Sequence, residues 1–222
     1  MSTREANLAV LADLGFTVAS SLPTARSEGP PELRPLEEIV ARLCALGALF
    51  AWAAESDLGW RSRDIRAFVR NNGLLSWLTP SEQRIFGLPR WFARRRHSQT
   101  IGWRLENMWS LAWVLGFAPA PDLVGLIDRD IQGSLLRFLP APSASLAAYL
   151  ALRQPRAVHE VDALEDLFYC AHNAVRSAQL GHQTVPPDFH PILHGGAVHE
   201  RRHALTWSLS PDTDWEDTDL ST

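Results

Sequence analysis

An all-α fold is what this sequence predicts, on three observations. Apolar residues recur at three- and four-residue spacing through most of the 222 positions, the spacing that lines one face of a helix. Alternating apolar and polar runs, the mark of a half-buried strand, are scarce. Residues that start and stop helices stand at the ends of the periodic stretches. The prediction is a single globular domain over 1–222 with about seven to nine packed helices. Residues 1–32 would form an N-terminal helix and loop, and 33–222 the helical body. A short strand pair near Phe16 is the open alternative.

Taken in order, Leu8 to Leu14 reads as a short helix with Asn7 as N-cap and Gly15 as its end. Phe16-Thr17-Val18 is extended, and 20–31, rich in Ser, Gly and Pro, is a loop. A long helix runs from Pro35 to Ala54. Pro35 suits the first turn, and Glu37 and Glu38 favour the positive end of the helix dipole. Ile39, Leu43, Leu46, Leu49 and Phe50 form its buried stripe. Ser62 to Asn72 is a helix capped by Ser62 and stopped at Gly73. Thr79-Pro80-Ser81-Glu82 is a capping box with proline at the first helical position, the clearest helix start in the chain. Ser98 to Phe117 is an apolar helix carrying Trp103, Trp109 and Trp113. Further helices are expected from Leu123 to Phe138, Ser145 to Leu152 and Val158 to Leu180, the last closed by Gly181. Gln183 to Gly196 is a loop, and Ala197 to Leu209 the final helix.

Composition narrows the chemistry. Hydrophobic residues make up 46% and charged residues 21%, ordinary for a globular protein. No apolar run approaches the roughly 18–20 residues of a membrane span, and Met1-Ser2-Thr3-Arg4-Glu5 lacks the start of a secretory signal. Cys44 and Cys170 are too few for a disulfide framework or a four-cysteine zinc site. A cytoplasmic location without a membrane partner is expected. All 21 basic residues are arginine, which removes lysine Schiff-base chemistry and the lysine-bearing phosphate loop. No G-x-G-x-x-G occurs. The net charge of -4 argues against a nucleic-acid partner.

One motif names a chemistry. His199-Glu200-Arg201-Arg202-His203 has the His-Glu-x-x-His spacing that lets two imidazoles one helical turn apart grip zinc while the glutamate acts as base. His190 and His194 lie upstream, and Asp214, Glu216 and Asp217 downstream. Against a metal site, two arginines occupy the middle positions, where their charge opposes a dication. No third ligand stands at a recognisable spacing. The contrary reading packs the histidines beside Trp207 as structural residues.

Several segments together resemble the bacterial family known as domain of unknown function 4272. They are Glu37-Glu38-Ile39-Val40-Ala41-Arg42, Trp103-Arg104-Leu105-Glu106 and Trp113-Val114-Leu115-Gly116. They continue with Tyr169-Cys170-Ala171-His172-Asn173-Ala174-Val175-Arg176 and Glu200-Arg201-Arg202-His203-Ala204-Leu205-Thr206-Trp207. The last is Asp214-Trp215-Glu216-Asp217-Thr218-Asp219-Leu220-Ser221-Thr222. The resemblance covers the chain from about Leu33 onward and carries no activity, cofactor or substrate with it. It shifts the weight of the final helix from His199 to Glu200, Arg201 and Trp207. Charges in apolar helices need partners, so Glu106 or Glu200 is expected to pair with Arg104 or Arg201.

Three other features have plain readings. The run Arg90, Arg94, Arg95, Arg96 and His97 beside Trp91 and Phe92 could hold a nucleic acid, but such runs are more often solvated connectors. The acidic tail lacks the glycine and distal glutamate of a calcium loop, so Trp215 is expected to anchor it. Cys170 and His172 point to different sides of a helix and make no nucleophilic pair. The expectation is a binding or structural module with an unidentified protein or small-molecule partner and no cofactor. The alternative is a zinc-dependent hydrolase with His199 and His203 as ligands and Glu200 as base.

Overall fold

The computed structural model describes residues 2–24, 29–54, 59–138, 140, 144–152 and 154–222. Among them are the helices α1 (Thr3–Asp13), α2 (Leu36–Ala53), α3 (Ser62–Asn71), α4 (Pro80–Gly87) and α5 (Arg90–Gly102). They continue with α6 (Arg104–Val114), α7 (Arg129–Phe138), α8 (Leu146–Leu150), α9 (Val158–Gln179) and α10 (Leu193–Ser208). Short 3-10 turns lie at Leu74–Trp77 and Trp215–Asp217. The all-α class holds, and no strand occurs among the described residues. The extended Phe16–Val18 segment makes a single rung instead of a ladder, with the Thr17 amide donating to the Thr184 carbonyl at 2.9 Å. Part of the expected loop over 20–31, residues 25–28, lies outside the described residues. No described helix is long and apolar enough to cross a membrane.

The contacts divide the chain into two compact units. The first comprises Met1–Leu33, Pro121–Leu126 and Arg156–Thr222, and the second Arg34–Ala120 and Ile127–Pro155.

In the first unit α9 packs against both α1 and α10. The α1 helix starts earlier than Leu8 because Ser2 and Glu5 form a capping box. The Glu5 amide donates to Ser2 Oγ at 3.3 Å and the Ser2 amide to the Glu5 carboxylate at 2.7 Å. Asn7 is therefore not the cap. It sits inside the helix, and its amide donates to the Ala163 carbonyl and the Asp166 carboxylate, each at 2.9 Å. Gly15, at φ 85°, ends α1 in the left-handed conformation that glycine adopts without strain. The last helix begins at Leu193 instead of Ala197. His190 supplies the cap, its Nδ1 accepting the Ile192 and Leu193 amides at 3.2 and 3.1 Å. Where α10 crosses α9, a Cβ on Gly195 would stand 2.6 Å from Val175 Cγ1, so the missing side chain sets the helix separation.

In the second unit every residue of α2 from Ile39 to Ala53 is buried, so the expected stripe is too narrow. A helix apolar on all sides is a central one, and α2 packs against α3, α4, α5, α6 and α8. Arg42 is the charged exception. Its guanidinium donates to both Glu82 oxygens, at 2.7 and 3.2 Å, and to the Trp77 carbonyl. Glu82 also completes the capping box of α4, whose N-cap is Thr79: the Thr79 amide donates to the Glu82 carboxylate at 3.0 Å, and the Glu82 amide donates to Thr79 Oγ1 at 3.3 Å. Arg104 Nε lies 3.1 Å from the same carboxylate.

The predicted tryptophan helix is two helices, with Trp103 closing α5 and opening α6. Gly102 just before it weakens the helix at that point. The basic run is the start of α5, not a connector. Arg90 donates to the Ala51 and Trp60 carbonyls at 2.9 and 2.8 Å, and Arg94 to those of Ala51 and Trp52 at 3.3 and 3.4 Å. These guanidinium groups satisfy carbonyls left open at the C-terminal end of α2. The α7 helix begins only at Arg129, where Asp128 caps it by accepting the Ile131 amide at 2.7 Å.

Candidate functional site

The α9 and α10 helices carry the chemistry-bearing residues of the first unit. On α10, His199 and His203 have ring centroids 6.4 Å apart and tilted by 56°. His203 Nε2 donates to the Trp215 carbonyl at 2.8 Å, and its ring lies 4.4 Å from that of Trp215. His199 instead meets His172 edge-on, with centroids 5.3 Å apart. A nitrogen that donates to a carbonyl has no lone pair to give a cation. Among the described residues no group of three or more His, Cys, Asp or Glu could hold a metal ion. The residues present do not fit a zinc site, and Glu200 is half-buried on α10.

Around the helix from those histidines, α9 and α10 line a cavity of 380 Å³, near the lower end of the range for small-molecule sites. Glu165 and Tyr169 come from α9, and Arg202 and Thr206 from α10. Ser210, Thr213, Asp217, Asp219 and Ser221 come from the chain after α10, and Pro23 and Thr24 from the segment after α1.

Arg202 organises this cavity. It is 2% exposed, and all its hydrogen-bonding atoms can only donate. One terminal nitrogen donates to His172 Nδ1 at 2.7 Å and to the Leu220 carbonyl at 2.9 Å, the other to the Ser221 carbonyl at 3.2 Å. Its Nε lies 3.6 Å from the Glu165 carboxylate, which also accepts the Thr206 hydroxyl at 2.9 Å. Burial pulls the guanidinium below its ordinary pKa, opposed by the charge of Glu165. Burial and the neighbouring Arg202 charge lower the His172 imidazole to about 3. His172 is thus neutral, with Nδ1 as acceptor.

Tyr169 is the second anchor. The Arg202 and Arg4 guanidinium carbons lie 4.8 and 5.3 Å from its ring centroid, distances at which a cation is attracted to an aromatic face. Arg4 is held in turn by Asp166 at 3.1 Å, the Pro23 carbonyl and Cys170 Sγ. Burial pushes the Cys170 thiol up to about 11, so it is no thiolate nucleophile at neutral pH.

The residues singled out from sequence lie elsewhere. Arg201 is buried and donates to the Asp122 and Gly125 carbonyls. Trp207 is buried with its ring 5.1 Å from Trp215, which does anchor the tail. Arg104 and Glu106 belong to the second unit, where Arg104 faces Glu82 and Glu106 accepts the Ile127 amide at 3.1 Å. None of these lines the cavity. The residues missed are Glu165, Tyr169, His172 and Arg202. All but Glu165 lie within the segments that carry the family resemblance.

Compared with known proteins, residues 3–218 match the family model described as "Domain of unknown function (DUF4272)". No curated protein and no solved structure matches the chain.

Proposed function

The chain belongs to the DUF4272 family, and from that premise we propose that it is a binding module whose ligand is a small polar molecule held in the first unit's cavity. One observation carries this reading: a charged network with Arg202 and Glu165 buried to 2% exposure borders a cavity of ligand size. Burying such a network is costly for stability alone, and pockets with convergent polar groups are the usual sites of ligands. Two features favour binding over catalysis. The Cys170 thiol is held protonated, and an imidazole lowered to about 3, as His172 is, is a poor general base at neutral pH. A bacterial, cytoplasmic setting in which Cys44 and Cys170 remain free thiols belongs to the same reading.

Thermal-shift and NMR screening of a library of small polar molecules tests it. Ligands should raise Tm and perturb Tyr169 and Thr206 resonances, and Ser210→Trp, which fills the cavity, should abolish both effects. Equal binding to the native protein and Ser210→Trp would refute the reading.

A further inference from the structure

We propose that the cavity selects a hydroxylated primary amine, an amino alcohol or amino sugar, through the Asp217 carboxylate and the Tyr169 hydroxyl. The inference rests on the binding-module reading and adds the ligand's charge and hydrogen-bonding character.

The charge follows from which groups are already engaged. Three carboxylates, Glu165, Asp217 and Asp219, line the cavity against the single guanidinium of Arg202. That guanidinium donates to His172 and two main-chain carbonyls and faces the Glu165 carboxylate at 3.6 Å, so an anionic ligand would meet one cation already opposed by a carboxylate, with two further carboxylates in the lining. Asp219 accepts the Ser221 amide at 2.9 Å, and that bond holds its carboxyl below the ordinary range. Asp217 is exposed, and its carboxylate has no partner among the described residues. The field at the cavity therefore favours a cation.

The hydrogen-bonding character follows from Tyr169. It is 5% exposed and lines the cavity, yet its hydroxyl has no hydrogen bond among the described residues. With the rest of the side chain buried, the hydroxyl is the polar tip that Tyr169 offers to the cavity. Two guanidinium groups already lie over its ring, which disfavours a quaternary ammonium that would bind by stacking on it. The hydroxyl is what remains for a ligand to use, and Thr206, Ser210 and Thr213 add side-chain hydroxyls around it. An ammonium that donates hydrogen bonds, carried on a hydroxylated frame, matches this set.

The test titrates the full chain with glucosamine, N-acetylglucosamine, glucose and glucuronate, reading Tyr169 and Thr206 by NMR. Glucosamine should give saturable shifts at these residues, with weak or no response to the other three. Asp217→Asn should weaken glucosamine by about two- to fivefold, the range for one exposed charge pair. Tyr169→Phe should weaken it while leaving the circular dichroism spectrum unchanged. Equal or tighter binding of glucose, N-acetylglucosamine or glucuronate would overturn the charge assignment and leave the cavity reading standing. The same holds if only other library members perturb these residues. If no probe or library member perturbs them, both proposals fall.

Discussion

In each unit a buried arginine faces a buried carboxylate, Arg42 with Glu82 and Arg202 with Glu165, and the two are satisfied in different ways. In the second unit Arg42 faces Glu82 in a two-pronged pair, and Arg104 and the Thr79 amide fill the rest of the carboxylate. In the first unit Arg202 divides its donors among an imidazole and two main-chain carbonyls, with its carboxylate at a longer 3.6 Å. The first arrangement is dry and locks a helix start against a central helix. The second borders a cavity. A closed ion pair serves architecture, whereas a distributed one leaves polar surface beside it for a ligand.

The largest expected effect is at Glu82. Glu82→Ala should cost about 3–5 kcal/mol in urea denaturation, because it leaves Arg42 charged and buried. A loss under about 1 kcal/mol would mean that water replaces the pair. Arg202→Met should cost less, about 1.5–3 kcal/mol, since the adjoining cavity admits water to Glu165. It should also release the tail, seen as faster hydrogen exchange over 215–222. If it proves costlier than Glu82→Ala, the contrast between dry and wet arginines fails.

Acid should separate the two sites next. The His172 pKa falls from 6.5 to about 3 on folding, so its contribution is complete above pH 6.5 and is lost as pH drops toward 3. Only the unfolded chain takes up the proton in that window, a slope of about 1.4 kcal/mol per pH unit. At Glu82 burial pushes upward, but Arg42's charge and hydrogen bond, Arg104's charge and the Thr79 amide outweigh it and leave the carboxyl below its ordinary 4.5. Its contribution is complete above pH 4.5 and is lost only below that. With 5-fluorotryptophan NMR, Trp207 and Trp215 should report loosening at higher pH than Trp52. His172→Asn should remove the difference.

The smallest effects concern the caps. Ser2→Ala should cost about 1 kcal/mol by thermal denaturation. Thr79→Ala should cost more, because Thr79 Oγ1 accepts the Glu82 amide at a buried helix start, whereas the Ser2 cap is exposed. Equal losses would mean that burial adds nothing to the cap.

How much of this was legible follows from range. The Thr79–Glu82 box and the stops at Gly15, Gly73 and Gly181 are local, and the sequence displays them plainly. The Ser2–Glu5 box is equally local but stands before the first clear apolar period, where Asn7 offers a competing cap. His190 was missed because an imidazole is not a customary cap. Glu82 showed its local role and hid its distant one, since nothing in the pattern links it to Arg42 or Arg104. Adjacent arginines on a helix point about 100° apart. Only packing reveals that Arg201 serves the 121–126 segment while Arg202 borders the cavity. The His199–His203 spacing was real, but the Trp215 carbonyl claims one of its nitrogens.

Arg202 holds Leu220 and Ser221 through their carbonyl oxygens, not through their side chains. Such a latch reads the path of the tail and ignores its spelling. Substitutions at those two positions can accumulate without loosening it, so long as the backbone keeps its course. Neighbouring positions that face the cavity, Asp217 and Asp219 among them, are then free to change the character of the site while its closure persists. A lineage could thus retune what the cavity accepts by editing a few tail residues, leaving the helices that support it untouched.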